Sequence, residues 1–328
     1  MSILPARLRS NDLFSLLRRS WAISPALTIY GVAMIIVTIL TVIGIFADPR
    51  IITGAPAWVK PAKFAISTCI YAFTLVWLVR FVQAAHPRLS SIINVVTAVI
   101  FTLEMAIVVL QAARGTASHF NQTTPFDQTL YRTMAIGITF VWLATLLACI
   151  LLLLQRFNSP VLAWTLRLST VMALIGMGLG FLMTTNLSPD QLAMIATKHM
   201  PPSFGAHSVG VEDGGPSLPI LGWSTVGGDL RIPHFFGLHG MQLLIIIGLL
   251  LIQFGPRWGL ASRHQLALLW TAAVGYLGLT ALLTWQALRA QSIIAPDALT
   301  LQAFAILISV VAVISIATLS HARLRRVL

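Results

Sequence analysis

Residues 91–120 read SIINVVTAVIFTLEMAIVVLQAARGTASHF, and from 91 to 113 the only charge is Glu104. A stretch this apolar and this long matches the roughly 20 residues that cross a ~30 Å hydrocarbon core. Seven further runs have the same character, near 25–46, 62–83, 130–155, 161–184, 235–254, 265–288 and 299–320. Inside lipid the backbone must satisfy its own hydrogen bonds, so each run predicts a helix rather than open sheet. The expected fold class is therefore an all-α polytopic integral membrane protein of eight transmembrane helices, with two four-helix halves as one arrangement of them.

Composition points the same way. The chain is 57% hydrophobic and 9% charged over 328 residues, with a mean hydropathy of +0.88, whereas soluble domains carry about 25% charged residues. The net charge of +12 does not indicate nucleic acid, because its distribution is topological. Arg7, Arg9, Arg18 and Arg19 precede the first run, and Arg323, Arg325 and Arg326 close the chain. Arg80, Arg88, Arg156, Arg167, Arg257 and Arg263 flank the short connections on the same side. The other side holds Asp48, Asp127, Asp190, Glu212, Asp213, Asp229 and Asp297. The positive-inside rule then puts both termini in the cytoplasm, which requires an even number of spans.

Four segments follow. Residues 1–22 alternate arginines with Leu8, Leu13, Phe14, Leu16 and Leu17, a basic amphipathic pattern suited to an anionic leaflet. Residues 23–184 carry five spans. The first is too long for a signal-peptide core and is expected to stay as an anchor. Residues 185–233 form a long extracytoplasmic connection. It opens with Ser188-Pro189-Asp190-Gln191, a capping signature that predicts a short surface helix ending before Pro201-Pro202. Residues 234–328 carry three spans and a basic tail. Compact loops suggest the plasma (inner) membrane of a prokaryote. Cys69 and Cys149 fall at different depths and form no CxxC pair, so thiol–disulfide chemistry is disfavoured.

Polar groups stranded at one end of so apolar a chain are the candidate site, because ionisable residues at membrane depth are costly. Glu104 and Gln111 share a helical face that leads into Arg114, Ser118 and His119. A carboxylate at that depth needs a partner from another helix, and Lys63, Arg132 and Arg231 are the cations on its side; a structural clamp between helices is the alternative role. Arg231, His234 and His239 open the sixth run. His234 and His239, five apart, point in different directions around a helix, so each would meet a different partner, one of them His119. Imidazoles here could ligate haem iron or another metal, or relay protons; a histidine hydrogen-bonded across helices is the plain alternative. Gly176, Gly178 and Gly180 suggest close helix approach.

No phosphate-binding loop, HExxH box, CxxCH motif or Gly-Xaa-Ser-Xaa-Gly elbow occurs. Three functions remain open. One is a membrane redox protein holding b-type haem or a quinone near the outer surface. In it His119, His234 and His239 supply metal ligands, and Arg114, Arg231, Lys63, Glu104 and Gln111 complete the pocket. The second is a transporter or channel for a small anionic solute. The third is a non-catalytic subunit docking a membrane-protein partner through 185–233.

Overall fold

A computed structural model describes residues 13–327. Its helices are α1 (Leu13–Ile23), α2 (Pro25–Ala47), α3 (Val59–Val79), α4 (Pro87–Ala113), α5 (Pro125–Leu154), α6 (Pro160–Thr185), α7 (Pro189–Ala196), α8 (Arg231–Phe254), α9 (Ser262–Leu288) and α10 (Ala298–Val327). Among the described residues, α2–α6 and α8–α10 are long and apolar enough to cross a membrane, the eight expected from the sequence. Two short ladders accompany them: β1 (Ile51–Ile52) pairs antiparallel with β2 (Ala55–Pro56), and β3 (Ser208–Val209) with β4 (Gly228–Asp229).

Most spans begin earlier than their apolar runs, because a helix starts at its cap and not at its first greasy residue. Ser24, Thr124 and Ser159 each accept a backbone N–H of the first turn, with proline just inside, the arrangement a helix N-terminus prefers. The second run, near 62–83, shifts towards the N-terminus as a whole: α3 takes in Lys60 and Lys63, and Arg80 onward leaves the helix as turns. Leu8, Arg7, Arg9 and Asp12 lie outside the described residues. Within the same basic segment α1 packs on α2 and α3 with Phe14 and Trp21 exposed.

The spans alternate in direction, so the chain has a tail end, with α1 and the last residues of α10, and a lid end. One core runs through α2–α6 and α8, where Leu27, Leu75, Ile93, Leu152, Leu166 and Met241 are shut from solvent. Lipid tails are as apolar as leucine, so helices associate in membranes through close packing of small residues. The α6–α8 crossing does this at Gly176 and Gly237: a Cβ on either would strike the other's backbone. Gly180 lies against the His234 ring, while Gly178 faces elsewhere, nearest Trp142.

The connection between α6 and α8 is folded over the lid end. Ser188 and Gln191 form a reciprocal capping box at the start of α7. Gln122 N–H donates to Pro202 O at 2.8 Å and Phe204 N–H to Phe120 O at 2.9 Å, tying the lid to the α4–α5 connection. Ser292 Oγ donates to Ser224 O at 3.1 Å, tying it to the α9–α10 connection. A Cβ on Gly54 would fall on Gly214 O, so the α2–α3 hairpin abuts it as well.

Candidate functional site beneath the lid

Helix α4 rises towards the lid and delivers Glu104, which is 5% exposed. Its Oε1 stands 3.6 Å from Nε2 of His119. Its Oε2 is buried and has no hydrogen-bond partner among the described residues. The turn after α4 brings His119 back over the helix, with Ser118 Oγ at 3.1 Å from its Nδ1. The His119 ring packs edge-on against Phe64 and Phe120. Burial holds His119 well below its ordinary 6.5, and the nearby charge of Lys60, His207 and His234 pushes the same way. The pair is thus a buried carboxyl group facing a neutral imidazole.

Two further histidines share this electrostatic neighbourhood. His234, at the start of α8, donates Nδ1–H to Gly176 O at 2.7 Å. That bond fixes the tautomer and leaves Nε2 as a base. His207, in the lid, places Nδ1 2.6 Å from Asp213 Oδ2 and stacks edge-on against Phe120. Burial pulls His207 down despite the Asp213 carboxylate. Burial alone would raise Asp213, but hydrogen bonds from His207 and Ser208 win and hold it below the usual carboxylate range. His239 lies farther along α8, its ring 4.3 Å from that of Phe235.

The cations divide by what they hold. Arg231 is bound to the buried Asp229 carboxylate, with Nη2 at 2.5 Å from Oδ2, and also donates to Gly222 O. Lys63 Nζ donates to Leu221 O at 2.9 Å. Both therefore pin the lid at 221–222. Among the described residues Lys60 makes no hydrogen bond or ion pair; its ammonium lies over the Phe64 ring, 5.9 Å from the centroid. Arg114 and Gln111 turn away to Asp127. Gln111 Nε2 donates to Asp127 Oδ1 at 2.8 Å, Arg114 Nη1 lies 2.6 Å from the same oxygen, and Arg114 also donates to Gln111 Oε1. Thr124 Oγ1 donates to Asp127 Oδ2 at 2.6 Å. This is a clamp that closes the α4–α5 turn.

The eight residues expected to converge thus separate. Glu104, His119, His234, Lys63 and Arg231 belong to one neighbourhood, with His239 at its edge; Gln111 and Arg114 belong to the clamp. Lys60, one turn before Lys63 on α3, joins the site, and so does His207, which was not expected there. Among the described residues no three His, Cys, Asp or Glu side chains stand close enough together to hold a metal ion.

The chain is a multi-pass α-helical membrane protein. No family model, no curated protein and no solved structure matches it.

Two outcomes test this geometry. Asp127→Ala removes the acceptor shared by Arg114 and Gln111 and strands a fully buried amide. It is expected to cost about 2–4 kcal/mol, read as a lower thermal midpoint in detergent. The second concerns pH. His119 and His207 both titrate lower in the fold than in the unfolded chain. As pH falls through the ordinary 6.5, the unfolded chain takes up protons that the folded one refuses. Stability present above that pH is therefore lost below it. The thermal midpoint should fall between about pH 7.5 and pH 5, and His119→Asn should flatten the fall; an unchanged slope would contradict the assignment.

Proposed function

We propose that this chain is a membrane redox protein that takes a quinone headgroup beneath the lid, with Glu104 and His119 as its proton-exchanging pair. The observation that carries this reading is the buried Glu104 Oε2, unpartnered and next to the neutral imidazole of His119. A quinone needs hydrogen-bond donors at its oxygens and a proton for each electron it gains. Carboxyl and imidazole groups within reach of its oxygens can meet both needs. Lys60, free of other bonds, adds positive charge where a semireduced headgroup would be negative. In this reading electrons pass to or from a redox partner, and the chain supplies binding and protons.

The same residues fit a b-type haem less well. His234 has the arrangement of an axial ligand, Nδ1–H on a carbonyl and Nε2 free. His119, however, turns Nε2 towards Glu104, and Arg114 and Arg231 are committed to Asp127 and Asp229 rather than free for propionates. The optical spectrum of protein from haem-supplied cells is expected to lack a Soret band; a band lost in His234→Ala would restore haem. A transporter of small anionic solutes is the second reading, favoured by Lys60, Lys63 and Arg231 gathered at the pinned lid segment.

Saturable binding of decylubiquinone by the protein in nanodiscs, monitored by tryptophan quenching, tests the proposal. No saturable binding by the wild type, together with uptake of labelled acetate or phosphate into proteoliposomes, would replace it with the transport reading. The proposed setting is a prokaryotic plasma membrane with both termini cytoplasmic, supported by the arginines of the tail end. In a background of Cys69→Ala and Cys149→Ala, Ser217→Cys and Ser320→Cys should label from opposite sides of sealed vesicles. Labelling of both from one side would contradict that topology.

A further inference from the structure

Helix α4 carries a second polar feature, on the face that leads down from Glu104 to the tail end. Ser90, Asn94 and Thr97 are 1%, 3% and 0% exposed. Among the described residues Ser90 Oγ, Asn94 Oδ1 and Thr97 Oγ1 each lack a hydrogen-bond partner, as does Glu104 Oε2. Spacings of four, three and seven residues put all four on one side of the helix, successive members about one or two turns apart. Threonines in these spans ordinarily turn their hydroxyls onto their own helix, as Thr68, Thr102 and Thr145 do towards Phe64, Ala98 and Val141. Thr97 does not. An unmet polar atom in an apolar interior costs several kcal/mol against hydrocarbon, and a line of them at turn spacing invites bridging water.

We infer that this face of α4 is a hydrated proton path running from the Pro87 end to Glu104. Phe101 is its one apolar interruption, wedged between the rings of Tyr30 and Tyr71 at 5.7 and 5.4 Å. A proton entering by Ser90 passes from water to water along molecules held by the Ser90, Asn94 and Thr97 polar atoms, each water accepting one proton as it gives up another. It ends on the Glu104 carboxylate as the neutral acid. Glu104 returns to carboxylate when the proton passes to His119 Nε2, and His119, disfavoured as imidazolium, gives it up to a basic atom of the ligand bound beneath the lid. The inference needs only that Glu104 exchange protons, not that its ligand be a quinone.

Thiol reactivity tests the path, because methanethiosulfonates attack the thiolate, which forms in water and not in a dry apolar interior. Single variants Ser90→Cys, Asn94→Cys and Thr97→Cys are made with Cys69 and Cys149 replaced by alanine. Val95→Cys and Val99→Cys, on the exposed lipid-facing side of α4, serve as controls. A monodisperse elution profile qualifies each variant, and three independent positions guard against the loss of any one. Cysteines at 94 and 97 should react with a cationic methanethiosulfonate at least about tenfold faster than the lipid-facing pair, a thiol pKa difference of one unit or more. Reactivity at 90, 94 and 97 no greater than at 95 and 99 would overturn the path. The assay contains no quinone, so failure of quinone binding and failure of the path are read separately.

Discussion

Glu104→Leu should make the protein more stable and less able to bind. The carboxyl group is buried with one oxygen unpartnered and the other 3.6 Å from His119, too long for a good hydrogen bond. Replacing a poorly paired buried charge by an apolar side chain of similar volume is often neutral or stabilising by about 1–4 kcal/mol. Binding of decylubiquinone should move the other way. A hydrogen bond to a charged group contributes about 1.5–3 kcal/mol, so affinity should fall by roughly 10- to 100-fold. Glu104→Gln should separate charge from shape, since it keeps a donor but exchanges no proton. Wild-type affinity should change by up to about tenfold per pH unit where one proton is linked, and the Gln variant's should be flat. If Glu104 were a clamp between helices, the Leu variant would be the unstable one.

Gly176→Leu is expected to have the largest effect on folding. Gly176 and Gly237 meet backbone to backbone where α6 crosses α8, and a leucine there has no rotamer that avoids Gly237 and Leu238. Overpacking a core costs about 1–3 kcal/mol even where side chains can yield; here the obstacle is backbone, so the helices must part. The His234 bond to Gly176 O would be lost with the crossing, which couples this packing site to the ligand site. Detergent extracts should contain aggregated or degraded protein, whereas Gly178→Leu, where an added Cβ would come no nearer than 4.0 Å to Trp142 Nε1, should express and elute normally. Equal behaviour of the two would show that the crossing tolerates separation.

The spans were legible because lipid imposes one simple requirement, length of apolar run, and the sequence meets it eight times. Their starts were less so, since Ser24, Thr124 and Ser159 are polar and drop out of a hydropathy reading although they cap the helices. Helix register set Glu104 deeper than His119, and the reversal after Gly115, at φ +74°, is what brings the two together. Register could not say which way Gln111 and Arg114 would turn. Asp127 looked like one acid among seven on its side, and only the tight α4–α5 turn sets it against them. His207 was passed over because a histidine in a long connection gives no sign of depth. Its spacing of six from Asp213 in a Gly-rich turn was the available signal. Lys60 stands one turn before Lys63 on the same face, but register does not say whether a long lysine turns inward or out to water, and only its place over Phe64, which packs on His119, shows that it reaches the site.

The central claim is that Glu104 changes protonation when the lid-end site takes its ligand. Infrared difference spectra between quinone-free and quinone-loaded protein, in nanodiscs at fixed pH, measure this directly. A protonated-carboxyl carbonyl band should appear or vanish on loading, shift in D2O, be absent in Glu104→Gln and persist in Asp127→Asn. A loaded-minus-free spectrum with no carboxyl band, or one unaltered in Glu104→Gln, would contradict the account.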